Sequence, residues 1–154
     1  MTRIYGASLL INSLVILLLA AVQTYVAIGS ALSYGPQLTL FVTLGISTLL
    51  GFLGYKFFQR SVCALKGTLS ISSPATVFKK IVFYVGFTLL VLSAAIHLAT
   101  ITLIGYLAVT KTVGVPAGMG SGLGLVVFIL SAFLLGPTLK THNSSLQPTG
   151  YASG

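Results

Sequence analysis

Residues 90–107 read LVLSAAIHLATITLIGYL. The run is almost wholly apolar. With its flanks it is long enough to cross the hydrocarbon of a bilayer, which takes about 20 residues of helix. In its middle sits His97. A histidine at that depth is expected to meet a carboxylate, a metal or a haem. Yet the chain has no Asp and no Glu in its 154 residues, so any acidic partner has to come from another molecule.

Composition repeats this on a larger scale. Hydrophobic residues make up 56% of the chain and charged residues 5%, against about 25% charged in soluble domains. Mean hydropathy is +1.07. Such a chain has too little polar surface to face water all round, so lipid is its expected solvent. The length suits one bundle. Without carboxylates the chain offers no acidic general base, no proton-relay acid and no hard-cation site. Its eight Lys and Arg, net charge +8, must face lipid phosphate, water or a partner's acids. They form no clustered arm with interleaved aromatics, so nucleic acid is not an expected partner. Cys63 is the single cysteine, which leaves no internal disulfide and no two-cysteine metal site.

Outward from residues 90–107, four apolar segments stand out, at about 7–28, 38–58, 80–109 and 117–136. Backbone in lipid must satisfy its own hydrogen bonds, so each is expected to be a helix. The predicted fold is an all-α integral membrane bundle of four transmembrane helices over residues 1–137, followed by a flexible polar tail at 138–154. Short turns hold Gly35-Pro36 and residues 110–116, and the longest loop runs from 59 to 80 with Pro74 inside it. With four spans, Arg3, Lys56, Arg60, Lys66, Lys79, Lys80 and Lys140 fall on one side and only Lys111 on the other. By the positive-inside rule both termini are expected on the cytoplasmic side. The first segment is too long for a signal peptide. The sequon at Asn143 is expected to stay bare, since it lies on the cytoplasmic side.

Each segment carries small or polar residues. Asn12 and Gln23 are three helical turns plus about 20° apart and share a face. Thr39, Thr43, Ser47 and Gly51 step by four. Gly86, Ser93 and Thr100 step by seven, with His97 beside the latter two. In the fourth segment Gly118 and Gly122, and Gly120 and Gly124, make overlapping GxxxG pairs. Small residues let helices approach, and amides and hydroxyls hydrogen-bond between them. The expected role of Asn12, Gln23, Ser47, Gly51, Ser93, His97, Thr100, Gly118 and Gly122 is therefore helix packing. The alternative is a pore lining, though no selectivity signature accompanies it.

His97 is readily kept neutral, and neighbouring hydroxyls and amides can satisfy its ring. It is also the one candidate cofactor contact. A bis-histidine haem would need His142, which lies in the polar tail, so the second ligand would have to come from a partner subunit. No catalytic residue, metal site or cofactor of the chain's own is expected. A His-based triad has no acid to orient it. Lys56, Arg60, Lys66, Lys79 and Lys80, with Tyr55, Phe57 and Phe58, suit an interface anchor or a contact with anionic lipid or an acidic partner surface.

These features point to a non-catalytic accessory or structural subunit of a larger membrane complex, with other membrane subunits and anionic lipids as partners. Two alternatives remain. One is a homo-oligomeric channel for anions or small neutral solutes, since a cationic chain repels cations at its mouths. The other is a self-associating membrane-organising protein, such as a viral envelope component.

Overall fold

The structure is a computed structural model that describes residues 1–35, 38–72, 74–110, 117–137 and 140–143. It contains four helices: α1 (Thr2–Tyr34), α2 (Leu38–Leu65), α3 (Val77–Thr110) and α4 (Ala117–Leu135). Two short strands, β1 (Leu69–Ser72) and β2 (Lys140–Asn143), complete the described elements. Three helices are long and apolar enough to cross a membrane, through Thr2–Ser33, Leu38–Leu65 and Val77–Ile104. α4 has 19 residues, of which Gly122–Leu135 form a shorter apolar helix. The turn at 111–116, with Lys111, and the tail at 144–154 lie outside the described residues.

Three of the helices, α1, α2 and α3, outrun the apolar segments that announce them. α1 begins five residues earlier and ends six later than expected, and α2 continues to Leu65, through residues expected in a loop. Hydropathy marks the thickness of the hydrocarbon, whereas a helix ends only where its hydrogen bonds do. Gln59 and Arg60 are good helix formers and do not stop α2. Gly67 does. Its φ is 76°, left-handed backbone that glycine adopts without a Cβ clash. The Thr68 N–H donates to the Cys63 carbonyl at 3.1 Å and the Gly67 N–H to the Ala64 carbonyl at 3.3 Å, the paired bonds of a Schellman motif. The Thr68 hydroxyl donates to the same Cys63 carbonyl at 3.0 Å. This stop aims the chain into β1.

β1 and β2 pair antiparallel, Leu69 opposite Asn143 and Ser72 opposite Lys140. Four residues of the segment expected to be a free tail are thus held by a backbone ladder. Its signal in the sequence is weak, because β2 has no alternating apolar face and borrows its order from β1.

α1–α2 and α3–α4 are the two tight hairpins, and α1–α3 is the seam between them. α1 lies at the centre. Half of its most apolar window is buried, against 11% for α2. Tyr5 and Leu9 line one cleft with Leu90, Asn12 bonds Ser93 and Leu18 lines another cleft with Ile101, so α1 and α3 run parallel. The starts of α1 and α3, the ends of α2 and α4 and the ladder therefore share one end of the bundle. Arg3, Lys56, Arg60, Lys66, Lys79, Lys80 and the backbone of Lys140 belong to elements gathered there.

The core at this end is aromatic and aliphatic: Tyr5, Leu9, Phe83, Leu90, Phe128 and Leu135 are buried, and Phe57 meets Phe128 edge-on at 5.2 Å. Glycines set the close approaches. A Cβ on Gly54 would stand 3.0 Å from Leu17 Cγ, and one on Gly86 3.0 Å from Leu134 Cβ. On the outside, Tyr25, Leu32, Phe41 and Phe133 are exposed, an apolar exterior consistent with a membrane protein.

Gly54→Leu should therefore destabilise the protein by about 1–3 kcal/mol through overpacking. Gly45→Ala, on the same helix but with open space around it, should be neutral or slightly stabilising. Denaturant titration of the purified protein in a mild detergent reads the difference.

Candidate functional site: a buried polar seam

The bundle's interior is crossed by polar side chains. Asn12, Ser13, Ser93 and Ser131 are fully buried, and Ser8, Ser47, His97 and Thr100 nearly so. Polar groups in an apolar interior are costly unless bonded, so their partners define what the seam does.

At the centre is Ser93. Its hydroxyl donates towards Asn12 Oδ1 at 2.5 Å and the Gly124 carbonyl at 2.9 Å, one proton serving two acceptors. The Asn12 amide is fixed by its other end, where Nδ2 donates to the Ser8 carbonyl at 2.8 Å. That bond turns Oδ1 towards Ser93. One hydroxyl thereby joins α1, α3 and α4. His97 lies one turn beyond Ser93 and is 1% exposed. Its ring fills the space a side chain on Gly124 would take: a Cβ there would stand 2.5 Å from His97 Cε1 and 2.7 Å from Nδ1. Nε2 is buried and has no hydrogen-bond partner among the described residues.

A second polar contact joins α1 to α2. Ser47 donates to the Ala20 carbonyl at 2.7 Å. Thr24 donates to the same carbonyl at 2.8 Å and touches the Ser47 hydroxyl. Gly51 lies beside them, the site of its absent Cβ 4.0 Å from Ala20 Cβ. Three further buried hydroxyls turn back on their own helices. Thr100 donates to the Ile96 carbonyl at 2.8 Å, Ser13 to Leu10 at 2.8 Å and Ser131 to Phe128 at 2.7 Å.

Of the residues singled out from sequence, Asn12, Ser93 and His97 come together, and Ser47 with Gly51 forms the second contact. Thr100 is buried but bonds only within α3. Gln23 does not join Asn12; its Oε1 is buried without a partner among the described residues. Gly122 is exposed with nothing near it, and the surroundings of Gly118 lie outside the described residues. Of the two whose surroundings are described, Gly122 and Gly124, it is Gly124 that packs closely. Thr24 was missed. Its signal is its place one turn after Ala20, where a hydroxyl can bond back to the carbonyl four residues earlier. Lys56 sits over the Phe52 ring at 5.5 Å. Arg60 lines a cleft with Tyr5 and Ser131. Lys66 follows the end of α2, and Lys79 and Lys80 are exposed in the first turn of α3.

Chemically the seam offers neutral amide, hydroxyl and imidazole groups. No cluster of three or more His, Cys, Asp or Glu forms among the described residues. The backbone of His142 lies opposite Ser70 in the ladder, whereas His97 is about five turns into α3.

Gly124→Ala should force the His97 ring or α4 to move and destabilise the fold by about 1–3 kcal/mol. The cost should shrink when His97 is also replaced by Ala, and a double-mutant cycle on unfolding free energy checks this coupling. Ser93→Ala should cost about 1–2 kcal/mol, because it strips Asn12 Oδ1 of its donor; the same unfolding titration measures it. Set beside known proteins, the chain stands alone: no family model, no curated protein and no solved structure matches it.

Proposed function

We propose that the chain is a multi-pass integral membrane protein with four spans, both termini on the cytoplasmic side, and that it serves as a non-catalytic accessory subunit packed within a larger membrane assembly. The observation that carries this reading is the direction of its polar groups. Asn12, Ser93, Thr24 and Ser47 bond to one another and to backbone inside the chain. They are committed to holding this bundle together. The outer faces are apolar, and Gly45 and Gly122 leave smooth places on α2 and α4 where another helix can approach closely. The crowding of basic residues at the ladder end supports the orientation. The same residues, Lys56, Arg60, Lys66, Lys79 and Lys80, suit anionic lipid headgroups or the acidic surface of a partner.

A homo-oligomeric channel for anions or small neutral solutes is the runner-up. The open faces at Gly45 and Gly122 serve self-association equally well, but Asn12, Ser47 and Ser93 already have internal partners, which leaves His97 Nε2 and Gln23 Oε1 as the buried side-chain atoms without one among the described residues. A membrane-organising role shares the same faces. A catalytic role has no support in the seam, and a cofactor contact at His97 would require a partner's group to reach a ring enclosed by α4.

Mild extraction of the tagged chain from its native membrane, followed by native mass spectrometry, tests the reading. A defined set of foreign subunits is expected. A clean homo-oligomer that passes ions or solutes after reconstitution would replace it with the channel. Cys63, exposed near the end of α2, tests the orientation. A membrane-impermeant maleimide should label it only after permeabilisation, whereas a cysteine at Leu38 in a Cys63→Ser background should react in intact cells. The reverse pattern would invert the topology.

A further inference from the structure

Two clefts meet near the ladder end. The first, of about 130 Å³, lies among the helices and includes Arg60, Tyr5 and Ser131 in its wall. The second, of about 340 Å³, is a groove between α2 and α4, walled by Leu50, Leu53, Leu125, Ile129 and Phe133. Phe57, Phe128 and Ala132 line both, so a cationic cleft runs directly into an apolar groove.

We propose that these joined clefts hold one anionic phospholipid, its phosphate against the Arg60 guanidinium and an acyl chain in the groove between α2 and α4. The proposal rests on the chain being membrane-embedded and not on its being an accessory subunit.

Charge complementarity names the head. Arg60 has no side-chain carboxylate anywhere in its own chain to pair with. Its planar fork of donors fits two phosphate oxygens at once. The Ser131 hydroxyl already donates to the Phe128 carbonyl at 2.7 Å and offers an anion no proton. Tyr5 carries the other hydroxyl in the wall. Geometry names the tail. Leu50 lies ten residues before Arg60 on α2, about 15 Å along the helix axis, a distance an acyl chain covers. The groove is walled by aliphatic and aromatic carbon and falls within the about 300–1,000 Å³ of small-molecule sites. A free anion has no use for such a groove, and a zwitterionic lipid would set its own cation beside Arg60.

The test uses the full chain, purified and delipidated in a neutral detergent, with retained lipid counted by native mass spectrometry. Phosphatidylglycerol and phosphatidylcholine with identical chains are the probes. One phosphatidylglycerol should be retained about tenfold better than phosphatidylcholine. Arg60→Gln should bring it down to the phosphatidylcholine level, while Arg3→Gln, in the first turn of α1 and outside the wall of the cleft, should leave it unchanged. Ile129→Trp, which fills the groove, should release the lipid with Arg60 still in place. Equal retention of the two lipids, or equal losses in the two charge variants, would overturn the site. So would displacement of the lipid by inorganic phosphate alone, which would reduce the cleft to an anion site. If Arg60→Gln does not fold, Arg60→Lys is read instead: reduced retention is expected, and full retention overturns the forked contact. Failure to find foreign subunits would end the accessory-subunit reading and leave this site standing. Equal retention of the two lipids would do the opposite.

Discussion

The Ser93 hydroxyl is where the two halves of the molecule are joined. α1–α2 and α3–α4 are each held by glycine-mediated close contact, in which backbones approach because Gly54 and Gly86 have no side chain to obstruct Leu17 and Leu134. Between the hairpins that device is weaker, and α1 meets α3 along a looser seam. There Asn12, locked by its own bond to the Ser8 carbonyl, presents an acceptor that Ser93 reaches. Gly124 brings its carbonyl within reach of the same hydroxyl and makes room for His97. Dispersion alone would let the hairpins slide against each other in lipid, where no hydrophobic force selects one packing over another. A hydrogen bond with one geometry sets the register.

The absence of Asp and Glu shapes everything around that seam. Helix N-termini favour an acidic residue in the first turn, and none of the four has one. Lys79 and Lys80 even place like charge at the start of α3, a local cost of about 0.3–1 kcal/mol each. Buried polar groups must find neutral partners, so they use backbone carbonyls: Ser8, Ala20, Ile96 and Gly124 each accept a side-chain bond. Interior polarity is thus resolved mostly inside the chain, with His97 Nε2 and Gln23 Oε1 left without a partner among the described residues, whereas the basic side chains have no side-chain carboxylate of their own chain to meet. The bundle is held by its own polar contacts in the core and depends on its surroundings at its basic end.

The sequence disclosed part of this. Helix number and position were plain, because an apolar run of membrane length has one stable backbone conformation in lipid. Ser93 and His97 were legible as neighbours on α3 from helical spacing, and Asn12 as a polar position on α1, but spacing within each helix does not say that those two faces meet. Helix ends were less legible. α2 passes Arg60 without pause because a charged residue at the interface does not oppose helix, and its stop depends on one left-handed glycine, Gly67, among several glycines with ordinary backbone. Gly122 and Gly124 are indistinguishable by motif. Which of them packs depends on the rotation of α4 against α3, and that rotation is set by His97 and Ser93 on the other helix. The pairing of Lys140–Asn143 with Leu69–Ser72 was beyond pattern reading, because Leu69 and Ile71 alternate with serines over only four residues and β2 carries no apolar alternation to match them.

That small ladder has a mechanical consequence. β1 leaves the first hairpin and β2 leaves the second, so their four-residue pairing straps the hairpins together at one end only. Under lateral tension the hairpins are therefore held at this end by backbone hydrogen bonds as well as by side-chain packing, and parting them there means unzipping the ladder.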